Sequence, residues 1–215
     1  MNMKDNVFFV SGIDTNVGKS YATGYLAKTW NEQGVRTITQ KFIQTGNVGM
    51  AEDIELHRKI MGTGLLPEDE SGLTMPEIFT YPCSPHLAAE IDHRPIDFDK
   101  IEKATRQLSE TYDAVLLEGA GGLMVPLTRD LLTIDYVAQK NYPLIFVTSG
   151  KLGSINHTLL SLEAVTRRGI RLHTVAYNLF PEEDDDIIRR DTEAYISDLL
   201  AKEYPETHFV IVPKL

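Results

Sequence analysis

Apolar positions in this chain follow two patterns that take turns. Short unbroken runs, Val7-Phe8-Phe9-Val10, Ala114-Val115-Leu116-Leu117, Leu144 to Thr148 and Leu172 to Tyr177, read as strands buried on both faces of a parallel sheet. Val35 to Lys41 and Phe209 to Val212 read as further strands. Between them apolar residues recur with helical period. Ala22, Leu26 and Trp30 mark a helix from Gly18 to Gln33 that Gly34 stops. Further helices are predicted over Met50–Met61, after Pro95 with Ile96, Ile101, Ala104 and Leu108 inward, and from Thr133 with Ile134, Val137 and Ala138 inward. Another carries Ile155, Leu159, Leu162 and Val165, and a polar one runs from Asp184 to Lys202. A short helix from His86 to Asp92 is predicted to open with Ser84 as its cap and Pro85 in its first turn. Residues 62–81, rich in glycine, proline and acids, read as a lid or a solvated connection.

Strands that alternate with helices predict an α/β fold, a parallel sheet with helices on both faces. Residues 1–215 are expected to form a single domain, with no internal repeat.

In such a sheet, ligands bind beyond the strand C-termini, and the chain's chemistry gathers there. The first strand runs into Gly12-Ile13-Asp14-Thr15-Asn16-Val17-Gly18-Lys19-Ser20 and then a helix. A helix N-terminus presents unpartnered amides to an anion. Gly18 lets a phosphate approach the backbone, Lys19 can reach the β- and γ-phosphates, and the Ser20 hydroxyl can hold magnesium. The usual first glycine of this loop is Ile13, the glycine having moved to Gly12. Lys41, Glu118 and Asn178 end other strands, and Gln44-Thr45-Gly46-Asn47 forms a loop beside Lys41. A carboxylate at a buried strand end is costly without a cation, and magnesium shared with Ser20 would supply one for Glu118. Asp53 is either a third oxygen ligand or a first-turn acid satisfying a helix dipole. Gly119-Ala120-Gly121-Gly122 either admits a substrate close to the backbone or serves as an ordinary turn.

Composition narrows the field. A net charge of −10 argues against a nucleic-acid surface. No apolar run approaches a membrane span, and the polar start Met1-Asn2-Met3-Lys4-Asp5-Asn6 lacks the features of a signal peptide. A cytoplasmic protein with small-molecule partners is expected. Cys83, the single cysteine, reads as a bystander and excludes an internal disulfide. The histidines at 57, 86, 93, 157, 173 and 208 show no His-x-x-x-His pairing for zinc, and His86 and His157 read as structural hydrogen-bonders. Glu182 to Asp186 reads as a solvated helix start, with Asp185 and Asp186 four residues before Arg189 and Arg190.

The phosphate loop, Lys41 with Thr45-Gly46, Ser84-Pro85-His86, Glu118-Gly119-Ala120-Gly121-Gly122, Val125-Pro126-Leu127 and Lys151 to His157 together resemble dethiobiotin synthetase, in order through about Asn178. The resemblance implies a P-loop nucleoside triphosphate hydrolase-like fold and a homodimeric ligase of biotin synthesis that uses ATP and magnesium. Its substrates would be 7,8-diaminononanoate and carbon dioxide, joined through a carbamate and a carbamic-phosphoric anhydride into a cyclic urea. It further implies that Lys41, Lys19 and Thr15 act in catalysis, and that Ser20, Asp53 and Glu118 hold magnesium. Asn16, Val17, Gly18, Lys19, Ser20, Tyr21 and Asn178 would bind the nucleotide, Asn178 by reading the purine. Thr45, Gly121 and Gly122 would face substrate, and Gly153 and Asn156 would receive its carboxylate from the partner subunit. Asn16 stands where the family often has glutamate. The chain ends at Leu215, where relatives usually continue into a helix that helps enclose the base, so looser nucleotide selectivity is expected. Replacing Lys41 is expected to abolish activity and leave the fold intact.

A rival reading is a nucleotide-dependent dimerising switch that acts on a protein partner. Such switches usually carry an extra lysine early in the phosphate loop, which Ile13-Asp14 does not provide. An amidotransferase would need a glutaminase domain for which there is no room, and a binding module without turnover explains neither Lys41 nor Glu118.

Overall fold

A computed structural model describes residues 6–180 and 185–214. Strand β1 (Val7–Gly12) leads through the phosphate loop into helix α1 (Lys19–Glu32) and strand β2 (Thr37–Lys41). Then come β3 (Gln44–Thr45), α2 (Glu52–Met61), α3 (Pro67–Glu70), β4 (Ile78–Phe79), α4 (Pro85–Ile91), α5 (Phe98–Thr111) and β5 (Ala114–Gly122). The remainder alternates: α6 (Thr133–Lys140), β6 (Leu144–Ser149), α7 (Ser154–Arg167), β7 (Leu172–Asn178), α8 (Asp186–Glu203) and β8 (His208–Val212).

Six strands pair in the order β2-β5-β1-β6-β7-β8, every pair parallel. From β1 the chain steps one way across the sheet to β2, and from β5 it steps the other way to β6, β7 and β8. Right-handed crossovers therefore put α1 on one face and α6, α7 and α8 on the other. Side chains agree with this division. Val10, Leu116, Ile145, Val147 and Ala176 pack with Ala22, Leu26 and Ala27 of α1. Their strand neighbours Phe9, Leu117, Phe146 and Val175 pack with Ile101, Leu162, Val165 and Ile196. Burial on both faces is why these strands read as unbroken apolar runs. Among the described residues, no helix is long and apolar enough to cross a membrane.

Several expectations need correction. Gln44 and Thr45, taken as loop, pair in parallel with Ile78 and Phe79. Residues 62–81 are neither a solvated connection nor a free lid. Their carbonyls at Thr74, Glu77 and Phe79 accept the amides of Lys41, Gln44 and Gly46, covering the edge beyond β2. Asp69, 1% exposed, anchors the segment: it takes both arms of Arg58 at 2.8 Å and the Thr74 hydroxyl at 2.7 Å. Ser84 sits at the start of α4 but does not cap it with its side chain; its Oγ lies 3.1 Å from His86 Nδ1 instead. Asp97 caps α5, and β5 runs on through the glycines that were read as following it. Ile155 and Leu159 are only half-buried, because α7 turns Ser154, Thr158, Leu162 and Val165 inward. Asp185 caps α8 rather than pairing with Arg189, and Asp186 pairs with both Arg189 and Arg190. Glu182, Glu183 and Asp184, with the expected start of that helix, lie outside the described residues.

Asp69→Asn is expected to lower unfolding free energy by about 3 kcal/mol at neutral pH, since it breaks a buried ion pair. Burial raises the Asp69 pKa, but hydrogen bonds from Arg58 and Thr74 outweigh it and leave the carboxyl below its ordinary value. A depressed folded pKa stabilises above the unfolded value of about 3.9 and stops doing so as pH falls through the folded one. Urea titrations should therefore show the gap between wild type and variant closing below about pH 4.

Candidate functional site

The phosphate loop leaves β1 at the middle of the sheet. Gly12 fits where β1 meets β6, since a Cβ there would lie 2.7 Å from Val17 Cγ1 and 2.9 Å from the Val147 carbonyl. That contact accounts for the displaced glycine. Gly18 has φ 85°, the left-handed region, and a Cβ on it would meet Asn178 Nδ2 at 2.0 Å. No side chain caps α1, so its first amides face the loop. Val17 turns its side chain into the core and offers only backbone. Thr15 and Asn16 are exposed. Lys19 curls back over the loop, its Nζ donating to the carbonyls of Asp14 at 2.8 Å and Thr15 at 3.1 Å. Burial pushes its pKa down to about 8, against the opposing pull of Glu118.

The register of the sheet assembles the rest. Lys41 of β2 and Val10 of β1 both pair with Glu118 of β5, so Glu118 lies between the end of β2 and the phosphate loop. Lys41 Nζ lies 2.8 Å from Glu118 Oε1, 2.5 Å from Asp53 Oδ2 and 3.2 Å from the Gly119 carbonyl. Ser20 Oγ lies 2.6 Å from Asp53 Oδ1 and 2.9 Å from Glu118 Oε1. Burial disfavours the Lys41 ammonium, yet Glu118 and Asp53 outweigh it and hold its pKa above the ordinary value. Burial likewise opposes a charged Glu118, and Lys41 and His57 keep its carboxyl well below the usual range. Asp53 is thus more than a dipole acid.

Behind Glu118 stands a layer that sequence reading missed. His57 Nε2 lies 2.8 Å from Glu118 Oε2, and its Nδ1 lies 3.0 Å from Thr39 Oγ1. Arg58 Nη1 donates to the same hydroxyl at 2.8 Å. The available signal was spacing, since His57 follows Asp53 by one helical turn and shares its face.

These groups border a cleft of about 810 Å³. Thr15, Asn16, Gly18, Lys19, Ser20, Tyr21, Lys41, Thr45, Asp53, Glu118 and Gly121 line it. Cys83, read as a bystander, and Ser84 line it as well. Phe180, not foreseen, forms part of the wall with its ring 5.8 Å from that of Tyr21. Asn178 does not face the cleft. It is 1% exposed, and its amide donates to the Val17 carbonyl at 2.9 Å while its Oδ1 accepts from the Phe180 amide at 3.2 Å. It braces the phosphate loop. Gly122 is set back beside Gly12, where a Cβ would meet the Gly12 carbonyl at 3.2 Å. Gly153 and Asn156 are exposed at the start of α7 and are not part of the cleft lining.

The donors suit magnesium. Two carboxylates and a hydroxyl converge on a spot where the Lys41 ammonium already sits, and all three are hard oxygen donors. Among the described residues no group of three or more His, Cys, Asp or Glu could hold a metal by itself. Magnesium bound with a nucleotide needs only one or two carboxylates, because phosphates and water complete its shell.

A family profile described as an AAA domain matches residues 6–213. The chain is 52% identical over 206 residues to ATP-dependent dethiobiotin synthetase BioD 2 of Pasteurella multocida, covering 96% of each chain. It is 58% identical over 184 residues to the protein of that name from Haemophilus influenzae, covering 86% of this chain and 96% of that one. Chloroplast FtsY from Physcomitrella patens superposes with a TM-score of 0.52 at 17% identity, over 100% of this chain and 61% of that one. The signal recognition particle receptor FtsY from Elizabethkingia anophelis, in complex with GDP, gives 0.53 at 16%, over 100% and 59%. At such identity the likeness concerns the fold, that of the P-loop nucleoside triphosphate hydrolases.

Lys41 is 5% exposed and binds two carboxylates, so the expectation that its removal spares stability is revised. Lys41→Met is expected to cost about 3 kcal/mol at neutral pH, because Glu118 and Asp53 lose their nearest cation. Millimolar magnesium should recover part of that loss in thermal melts of the variant and do less for wild type.

Proposed function

The chain belongs to the ATP-dependent dethiobiotin synthetase family, a family of enzymes, and on that premise we propose that it closes the cyclic urea of dethiobiotin in biotin biosynthesis. The observation that carries the reading is two buried ammonium groups and an oxygen cage meeting at one open cleft beside a phosphate loop.

One amine of 7,8-diaminononanoate bonds the carbon of carbon dioxide and loses a proton, giving a carbamate. A carbamate oxygen then attacks the γ-phosphorus of ATP, and ADP leaves with the bond electrons. The second amine attacks the anhydride carbonyl, phosphate departs, a further proton is lost, and the ring closes. Such phosphoryl transfer needs positioned charge more than covalent help. Lys19 exchanges the carbonyls of Asp14 and Thr15 for the β- and γ-phosphates, and Thr15, Asn16, Val17 and Gly18 surround them. Tyr21 flanks the nucleotide. Ser20, Asp53 and Glu118 would hold magnesium, which would supply positive charge against the phosphates, and with those carboxylates engaged the Lys41 ammonium would be free to meet the carbamate and the transferring group. Thr45 and Gly121 border the diamine.

The enzyme is proposed to act as a cytoplasmic homodimer, residues 1–215 forming one synthetase domain. Support for the dimer comes from the turn before α7, where Leu152 is 73% exposed beside Gly153, and from α7 itself, where Leu160 is 59% exposed and Asn156 is exposed. A partner's α7 N-terminus would bring amides toward the substrate carboxylate.

Phosphate release from magnesium-ATP should require both diaminononanoate and bicarbonate, with labelled bicarbonate carbon appearing in the product. Turnover that ignores the diamine would sink the ligase reading.

A further inference from the structure

The magnesium reading leaves His57 unused, although it is 0% exposed and its ring touches the most buried member of the cage. Resting on that reading, we propose that His57 is a positioning residue that fixes the Glu118 carboxylate, holding Oε2 inside the protein so that Oε1 faces Ser20 and Lys41.

Hydrogen-bond accounting gives the arrangement a direction. Arg58 can only donate, so the Thr39 hydroxyl accepts from Nη1 at 2.8 Å. Thr39 then turns its own hydrogen to His57 Nδ1, 3.0 Å away. The imidazole carries its proton on Nε2 and donates it to Glu118 Oε2 at 2.8 Å. The reverse tautomer would leave the Thr39 hydrogen without a partner and aim a bare nitrogen at a carboxylate. Arg58 is itself fixed by Asp69, so the relay starts from a rigid point on the segment that covers the sheet edge. A carboxylate without this brace can rotate and offer either oxygen to the cleft, which weakens a metal site that depends on one orientation.

His57→Leu removes the donor at similar volume, whereas His57→Gln keeps an N–H that can reach Glu118. In the presence of ATP, electron paramagnetic resonance should show the leucine variant needing about tenfold more Mn2+ for half-saturation. Its kcat should fall while KM for ATP moves less than about threefold, and the glutamine variant should recover most of both losses. In wild-type protein, 15N spectra should show the His57 proton on Nε2. Wild-type Mn2+ affinity in the leucine variant, equal impairment of both variants, or a proton on Nδ1 alone would each overturn the role. Wild-type protein that binds no Mn2+ with ATP would remove the magnesium site and this role with it. A wild type that binds Mn2+ beside an unaffected leucine variant would remove only the role of His57.

Discussion

Glu118 carries a negative charge at a point with no solvent exposure, and the surrounding structure is arranged to make that tolerable. An isolated carboxylate there would take up a proton, because desolvation disfavours its charge. Here Lys41, His57 and Ser20 each lie within 2.9 Å of one of its oxygens. The charge therefore persists, and it persists at the mouth of the phosphate loop. The ammonium that neutralises Glu118 in the folded chain also lines the cleft beside the phosphate loop.

The sheet delivers these partners by register. β5 lies between β1 and β2, so Glu118 faces the phosphate loop on one side and Lys41 on the other. α2 returns over α1 and brings Asp53 to the cleft and His57 beneath it on one helical face. The segment between α2 and α4 completes the frame. By accepting the amides of Lys41 and Gln44 it holds the end of β2 in line, and through Asp69 and Arg58 it fixes the polar layer behind Glu118. What reads in the sequence as an irregular, acid-rich stretch serves as a brace along the sheet edge behind the site.

The same logic explains Asn178. A strand end beside a left-handed glycine leaves a small space under the loop, and a short amide fills it while satisfying the Val17 carbonyl and the Phe180 amide. The wall of the cleft there is aromatic instead, from Tyr21 and Phe180.

Local chemistry was enough to determine the alternation of strands and helices, the phosphate loop, and the strand-end position of Lys41, because period and glycine placement are properties of neighbouring residues. Matching motifs in order along the chain extended that reading to a family. Which groups touch Glu118 was decided only by tertiary structure. Its partners lie 61, 77 and 98 residues away along the chain, and no local preference encodes the strand order and helix rotation that bring them together. Asn178 shows the same dependence, its amide reaching the Val17 carbonyl 161 residues away, whereas Ser84 and Asp185 find partners within three residues. A polar side chain binds whatever partner the packing sets within reach, and for the buried ones that partner is set across the sheet as well as along the chain.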